Sequence, residues 1–250
     1  AHRSKARITA CALSFAAALG VCACLAGGVD KALMRRVQAA KWRDLLGQDT
    51  LTGSFQTPQA EYLYGTYRDQ WVAVREGSVC EALPDESTAG QTAAISLCQN
   101  PGAESVLVVG SGLGLCRQML RLPQIKDVTW AHPDTEYARL INDFIPPELR
   151  INDGRFNVAA SDVRTMLAGK KQCYDIVILD LPDATSSVLN RYYTLEFYGQ
   201  IKESLRPGGI LAVRASGGEN IMGTELINLG ASIRLTLSGS KAFAHLVLTP

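Results

Sequence analysis

Two aspartates, Asp180 and Asp183, close the apolar run Asp175–Leu179 in the order Asp180-Leu181-Pro182-Asp183. Carboxylates three residues apart can hold a cationic amine and take a proton from it. The same residues could equally cap a proline turn and do no chemistry. A second candidate is glycine-rich: Gly110-Ser111-Gly112-Leu113-Gly114 follows the apolar run Ser105–Val109. Glycines after a strand let the backbone approach a ligand, and the helix behind them presents free N–H groups. A tight turn that binds nothing is the alternative. The three histidines and seven cysteines have no metal-ligand spacing, so no metal site is expected and the thiols read as buried and reduced.

These candidates need an α/β scaffold. Asp127–Ala131, Phe156–Ala159, Asp175–Leu179 and Ile210–Arg214 read as further apolar strands. Helices over Glu136–Phe144 and Leu195–Ser204 lie between them. Strands alternating with helices predict a parallel sheet covered on both faces, with ligands at its carboxyl edge. Upstream, residues 61–82 alternate as a small β-hairpin unit with turns near Arg68-Asp69 and Glu76-Gly77-Ser78. A helix is expected over Thr88–Cys98, and Gly47 to Gln56 reads as loop.

The chain of 250 residues is 47% hydrophobic and 20% charged, which excludes a disordered chain. Its net charge of +1 argues against a nucleic-acid partner but hides a split. Residues 1–46 carry +6 and the remainder −5. Ile8 to Val29 is a run of 22 residues without a charge. As a helix it would be about 33 Å long, enough to cross a bilayer core. A signal peptide and a buried helix are the competing readings. Ala12, Ala16, Gly20, Cys24 and Gly28 would form a ridge of small residues suited to other transmembrane helices. Basic flanks place the globular part on the positive-inside, cytoplasmic face of a bacterial inner or organelle membrane. Residues 30–46 read as a basic amphipathic helix, either on the membrane surface or docked on the globular domain. The expected units are 1–29, 30–54, 55–84 and 85–250.

The segments SVLVVGSGLG, AASDVRTML and YDIVILDLPDATSSVLNRYYTLEFYGQIKESLRPGGILAV resemble the spermidine synthase, or polyamine aminopropyltransferase, family. The branch attached to membrane helices is the most similar, and the resemblance covers about residues 55–248. It implies a small N-terminal β-domain and a Rossmann-like, methyltransferase-type domain. It also implies transfer of an aminopropyl group from decarboxylated S-adenosylmethionine to putrescine. By position it makes Asp180 the base, Asp183 a holder of the acceptor amine and Asp162 an adenine contact. Gly110, Gly112 and Gly114 would lie under the nucleoside.

Four positions depart from the family pattern. Leu113 replaces the aspartate that binds the donor's amine. His132 stands where an acid would hold the ribose, with Asp134 two residues on. Ala89-Gly90 replaces a Tyr-His pair, and Ala60 and Glu61 occupy the neighbourhood of an expected Gln. An apolar side chain cannot balance an ammonium group. The expected function is therefore a membrane-anchored accessory or scaffold subunit with a degenerate site. An active aminopropyltransferase or S-adenosylmethionine-dependent methyltransferase on an altered substrate is the alternative, and a nucleotide-binding sensor a third. Phe243–Leu248 reads as a sixth strand, leaving an edge that either another segment covers or a further strand of a longer chain would complete.

Overall fold

An antiparallel meander of four strands leads into a parallel sheet of five. The structure, a computed structural model, describes residues 14–15, 20, 28–47, 50–184, 186–215 and 223–247. The meander runs in chain order through β1 (Leu51–Gln56), β2 (Glu61–Tyr67), β3 (Gln70–Arg75) and β4 (Ser78–Leu83). Both expected turns are present. Arg68 and Asp69 take φ of 47° and 65°, and Glu76 and Gly77 take 50° and 78°. Positive φ at both central residues matches the right-handed twist of the flanking strands.

Helix α1 (Val29–Leu46) docks on this sheet through its C-terminal half. Trp42 and Leu46 pack against Leu63, Val72 and Val74. Gln38 donates to Glu61 Oε1 at 2.8 Å, and Lys41 pairs with Glu61 Oε2 at 3.1 Å. The apolar positions Leu33, Met34 and Val37 remain exposed.

The second sheet has the order β7-β6-β5-β8-β9, and every described pairing is parallel. Its strands are β5 (Ser105–Gly110), β6 (Asp127–Ala131), β7 (Phe156–Val158), β8 (Tyr174–Asp180) and β9 (Leu205–Val213). Every residue of β5 is buried. Val106 and Val108 join the core under α2 (Thr88–Gln99), α3 (Leu113–Leu120) and α4 (Thr135–Phe144). Leu107 and Val109 join the core under α5 (Val163–Leu167) and α7 (Leu195–Ser204). The short α6 (Ser187–Asn190) precedes α7, and α8 (Thr224–Ser240) follows β9. Strand order reverses between β5 and β8, so their carboxyl ends border a crevice.

Several expectations need correction. Leu51–Gln56 is a strand rather than loop, paired to β2 from Leu51 to Gln56. Residues 243–247 form no strand, and Leu248 lies outside the described residues. Cys98 is exposed, unlike the buried Cys116. Among the described residues no helix is long and apolar enough to cross a membrane. That finding overturns the expected membrane location. The run 8–29 and its small-residue ridge lie outside the described residues, apart from positions 14, 15, 20, 28 and 29.

Candidate functional site

The glycine turn leaves β5 at Gly110, whose φ is +104°. A Cβ there would stand 2.2 Å from the Asp180 carbonyl oxygen, so no other residue fits. The turn is tied to the neighbouring strands. Ser111 N–H donates to Asp180 O at 3.0 Å, and Trp130 Nε1 donates to Gly110 O at 2.9 Å. Gly112 lies under Val108 and Gly114 against Asp85 and Ala89. All three glycines therefore serve close packing within the chain.

The N–H groups of this turn are already engaged, contrary to the expectation that they stand free. Gly112 and Leu113 N–H donate to Glu81 Oε2 at 3.2 Å each, and Gly114 N–H to Glu81 Oε1 at 3.4 Å. Glu81 comes from β4, so the meander supplies the anion that the α3 N-terminus favours. It is buried, and burial pushes its pKa up to about 7. The N–H groups of Leu113 and Gly114 oppose that rise, and the Asp180 charge adds to it. Leu113 itself is 4% exposed.

Asp180 ends β8 beside the turn. Its Oδ1 lies 3.1 Å from Arg214 Nη1, and Arg214 N–H donates to Leu179 O at 3.0 Å just beyond β9. Burial raises the pKa of Asp180, and Arg214 only partly offsets it. The following loop is held by Tyr193, whose hydroxyl donates to Pro182 O at 3.0 Å. Asp183 lies half-buried in that loop, and its charge adds to the burial that pushes Tyr193 up to about 12.

His132 and Asp134 follow β6 and are both buried. Burial pushes His132 down to about 4, so the ring is neutral near pH 7. Asp134 N–H donates to His132 Nδ1 at 3.0 Å. The Asp134 carboxylate caps α4 through Tyr137 N–H at 3.1 Å. It also accepts from Thr57 at 2.6 Å and Tyr62 at 3.0 Å. Asp162 caps α5 and accepts from Arg191 Nη2 at 3.1 Å and Tyr192 at 2.9 Å.

Two cavities flank these residues. One of about 440 Å³ is lined by Gln59, Arg75, Pro133, Thr135, Asp162, Val188, Arg191 and Tyr192. The other, about 520 Å³ and largely apolar, includes Leu113, Trp130, Ile141 and Phe156 in its wall. The structure thus brings Gly110 to Asp180 and His132 to Asp134. It places Asp162 on the first cavity, whose lining does not include Asp180 or Asp183.

Glu81, Arg75, Arg191 and Arg214 were not singled out from the sequence. Glu81 did leave a signal, being an acid two residues from Leu83, which β4 also buries. The arginines left none, because their partners are set by the fold.

The pattern of the family described as "Spermine/spermidine synthase domain" matches residues 91–243. Among curated relatives, the polyamine aminopropyltransferase of Oceanobacillus iheyensis is 33% identical over 119 residues. That match covers 45% of this chain and 23% of the relative. The polyamine aminopropyltransferase of Mycobacterium tuberculosis is 35% identical over 123 residues, or 46% of this chain and 23% of the relative. The matched segment thus spans about a quarter of these relatives' length. The crystal structure of spermidine synthase from Thermotoga maritima superposes with a TM-score of 0.64 at 17% identity. That superposition covers 76% of this chain and 64% of the other. A spermidine synthase in complex with the transition-state analogue AdoDATO superposes over the same shares with a TM-score of 0.65 at 17% identity. At that identity both support the fold alone.

Proposed function

The chain belongs to the spermine/spermidine synthase family, and from that premise we propose that it is an accessory subunit that transfers no aminopropyl group to a polyamine. The observation that carries this reading is the turn after β5. The buried Leu113 stands where the family resemblance calls for an aspartate on the donor's amine. The carboxylate that does reach the turn, Glu81, is bonded to three backbone N–H groups of the same chain. A donor ammonium placed here would meet the Leu113 side chain and lose hydration, while the Glu81 oxygens are already spent on backbone N–H groups.

Two further features support the reading. His132, at the ribose position of the resemblance, is neutral, and its Nδ1 is taken by Asp134 N–H. A cationic acceptor amine at Asp180 would meet a carboxylate whose charge Arg214 already balances through Oδ1. The residues present do not fit decarboxylated S-adenosylmethionine as the resemblance would place it, so no transfer step is derived. The exposed Leu33, Met34 and Val37 on α1 support a role in assembly.

An active transferase on an altered substrate is the second reading. Asp180 favours it, because burial raises its proton affinity even beside Arg214, as a base for an amine requires.

Calorimetry of the purified full-length protein with putrescine separates the two. No binding is expected up to concentrations on the order of 1 mM, and Arg214→Leu should show weak binding where the unaltered protein shows none. Micromolar binding by the unaltered protein would overturn the accessory reading.

A further inference from the structure

The cavity of about 440 Å³ lies between the meander and the carboxyl edge of the parallel sheet. Its charged lining is Arg75 from β3, Arg191 after α6 and Asp162 after β7. Asp162 is already engaged by Arg164 N–H at 3.0 Å, Tyr192 at 2.9 Å and Arg191 at 3.1 Å.

Arg75 is less well served. Among the described residues its Nε, enclosed by protein, has no hydrogen-bond acceptor, and no hydrogen bond of its Nη groups is described. Its ion-pair contact is Glu76 Oε2 at 3.7 Å, on a side chain that is 70% exposed. The groups that sense its charge from neighbouring elements are Tyr62, Cys80, Glu81's neighbour on β4, and the neutral His132. The Asp134 carboxylate, two residues beyond His132, serves Thr57, Tyr62 and Tyr137.

A guanidinium in this state keeps donors for an oxyanion, and its planar fork matches carboxylate or phosphate with two parallel bonds. Arg191 faces the same space and spends one described side-chain bond, that to Asp162. Val188 and Pro133 give the wall an apolar side and Gln59 and Thr135 a polar one, while the buried Tyr192 ring lies under the Arg191 guanidinium at 5.4 Å. A polycation would be repelled by two arginines with one engaged carboxylate between them.

We propose that this cavity binds a small molecule carrying an oxyanion group, carboxylate or phosphate, on Arg75 and Arg191, with an apolar body against Val188. This assigns a ligand class where the accessory reading assigns none, and it selects against polyamines at the same place.

Two probe pairs test it by calorimetry on the full-length protein. Adenosine 5′-monophosphate against adenosine reports on phosphate. S-adenosylhomocysteine against 5′-methylthioadenosine reports on carboxylate. In at least one pair the anionic member is expected to bind about tenfold tighter or more. Arg75→Gln and Arg191→Gln should each remove most of that difference. Arg191, with a side chain 44% exposed, can be changed without disturbing the core, and circular dichroism confirms folding of both variants. Equal binding of the anionic and neutral members, a difference that survives both substitutions, or no binding of any probe at about 10 mM would overturn the proposal. Turnover of putrescine would defeat the accessory reading without touching this result.

Discussion

Asp134→Ala is expected to destabilise the protein by about 4 kcal/mol, because it removes a helix cap and orphans buried donors. The carboxylate accepts from Thr57, Tyr62 and Tyr137 N–H at 2.6, 3.0 and 3.1 Å. Two of these donors belong to the meander side and the third to α4, so one side chain ties the two layers together. For a chain of this size, such a loss lowers the melting temperature by roughly 8–16 °C. Asp134→Asn keeps an acceptor for the cap and should cost clearly less. A loss below about 1 kcal/mol in Asp134→Ala, measured by urea unfolding, would show that the layers do not depend on this contact.

The second large effect concerns pH. Glu81 is raised from its ordinary 4.5 to about 7 in the folded chain, chiefly by burial. The folded state therefore holds this proton more tightly than the unfolded one. Its stabilising contribution is complete below about 4.5 and is lost as pH rises through about 7. The loss amounts to about 3 kcal/mol.

His132 works in the opposite direction. Its folded pKa lies near 4, below the ordinary 6.5, so its contribution is present above 6.5 and lost as pH falls toward 4. Comparing the unaltered protein with Glu81→Gln cancels the histidine term. The difference in unfolding free energy between the two should change by about 3 kcal/mol from pH 4.5 to 8, in favour of Gln at the higher pH. Parallel stability curves would show that Glu81 is not held as described.

Much of the fold could be read from the sequence where burial is continuous. Ser105–Val109 and Asp175–Leu179 are apolar runs because β5 and β8 are covered on both faces. The turns at Arg68-Asp69 and Glu76-Gly77 announced themselves by residue type. Leu51–Gln56 did not. Only Phe55 of that strand is buried, and its pairing to β2 is a contact across the chain that no local pattern records.

The site divides in the same way. Asp162 and Asp134 were legible as acids at the carboxyl edge, yet each caps the helix that follows it. An acid immediately before a helix is itself a capping signal. Arg214 leaves no local signal and Glu81 only its place on the buried face of β4, because their partners lie 31–34 residues away in sequence. What the structure adds in support of the functional reading is this long-range pairing of the site's carboxylates within the chain.

The most direct measurement is a transfer assay. Purified full-length protein is incubated with decarboxylated S-adenosylmethionine and putrescine, and 5′-methylthioadenosine and spermidine are quantified. Neither product is expected above the enzyme-free control. Formation of both in equal amounts over many turnovers would contradict the account.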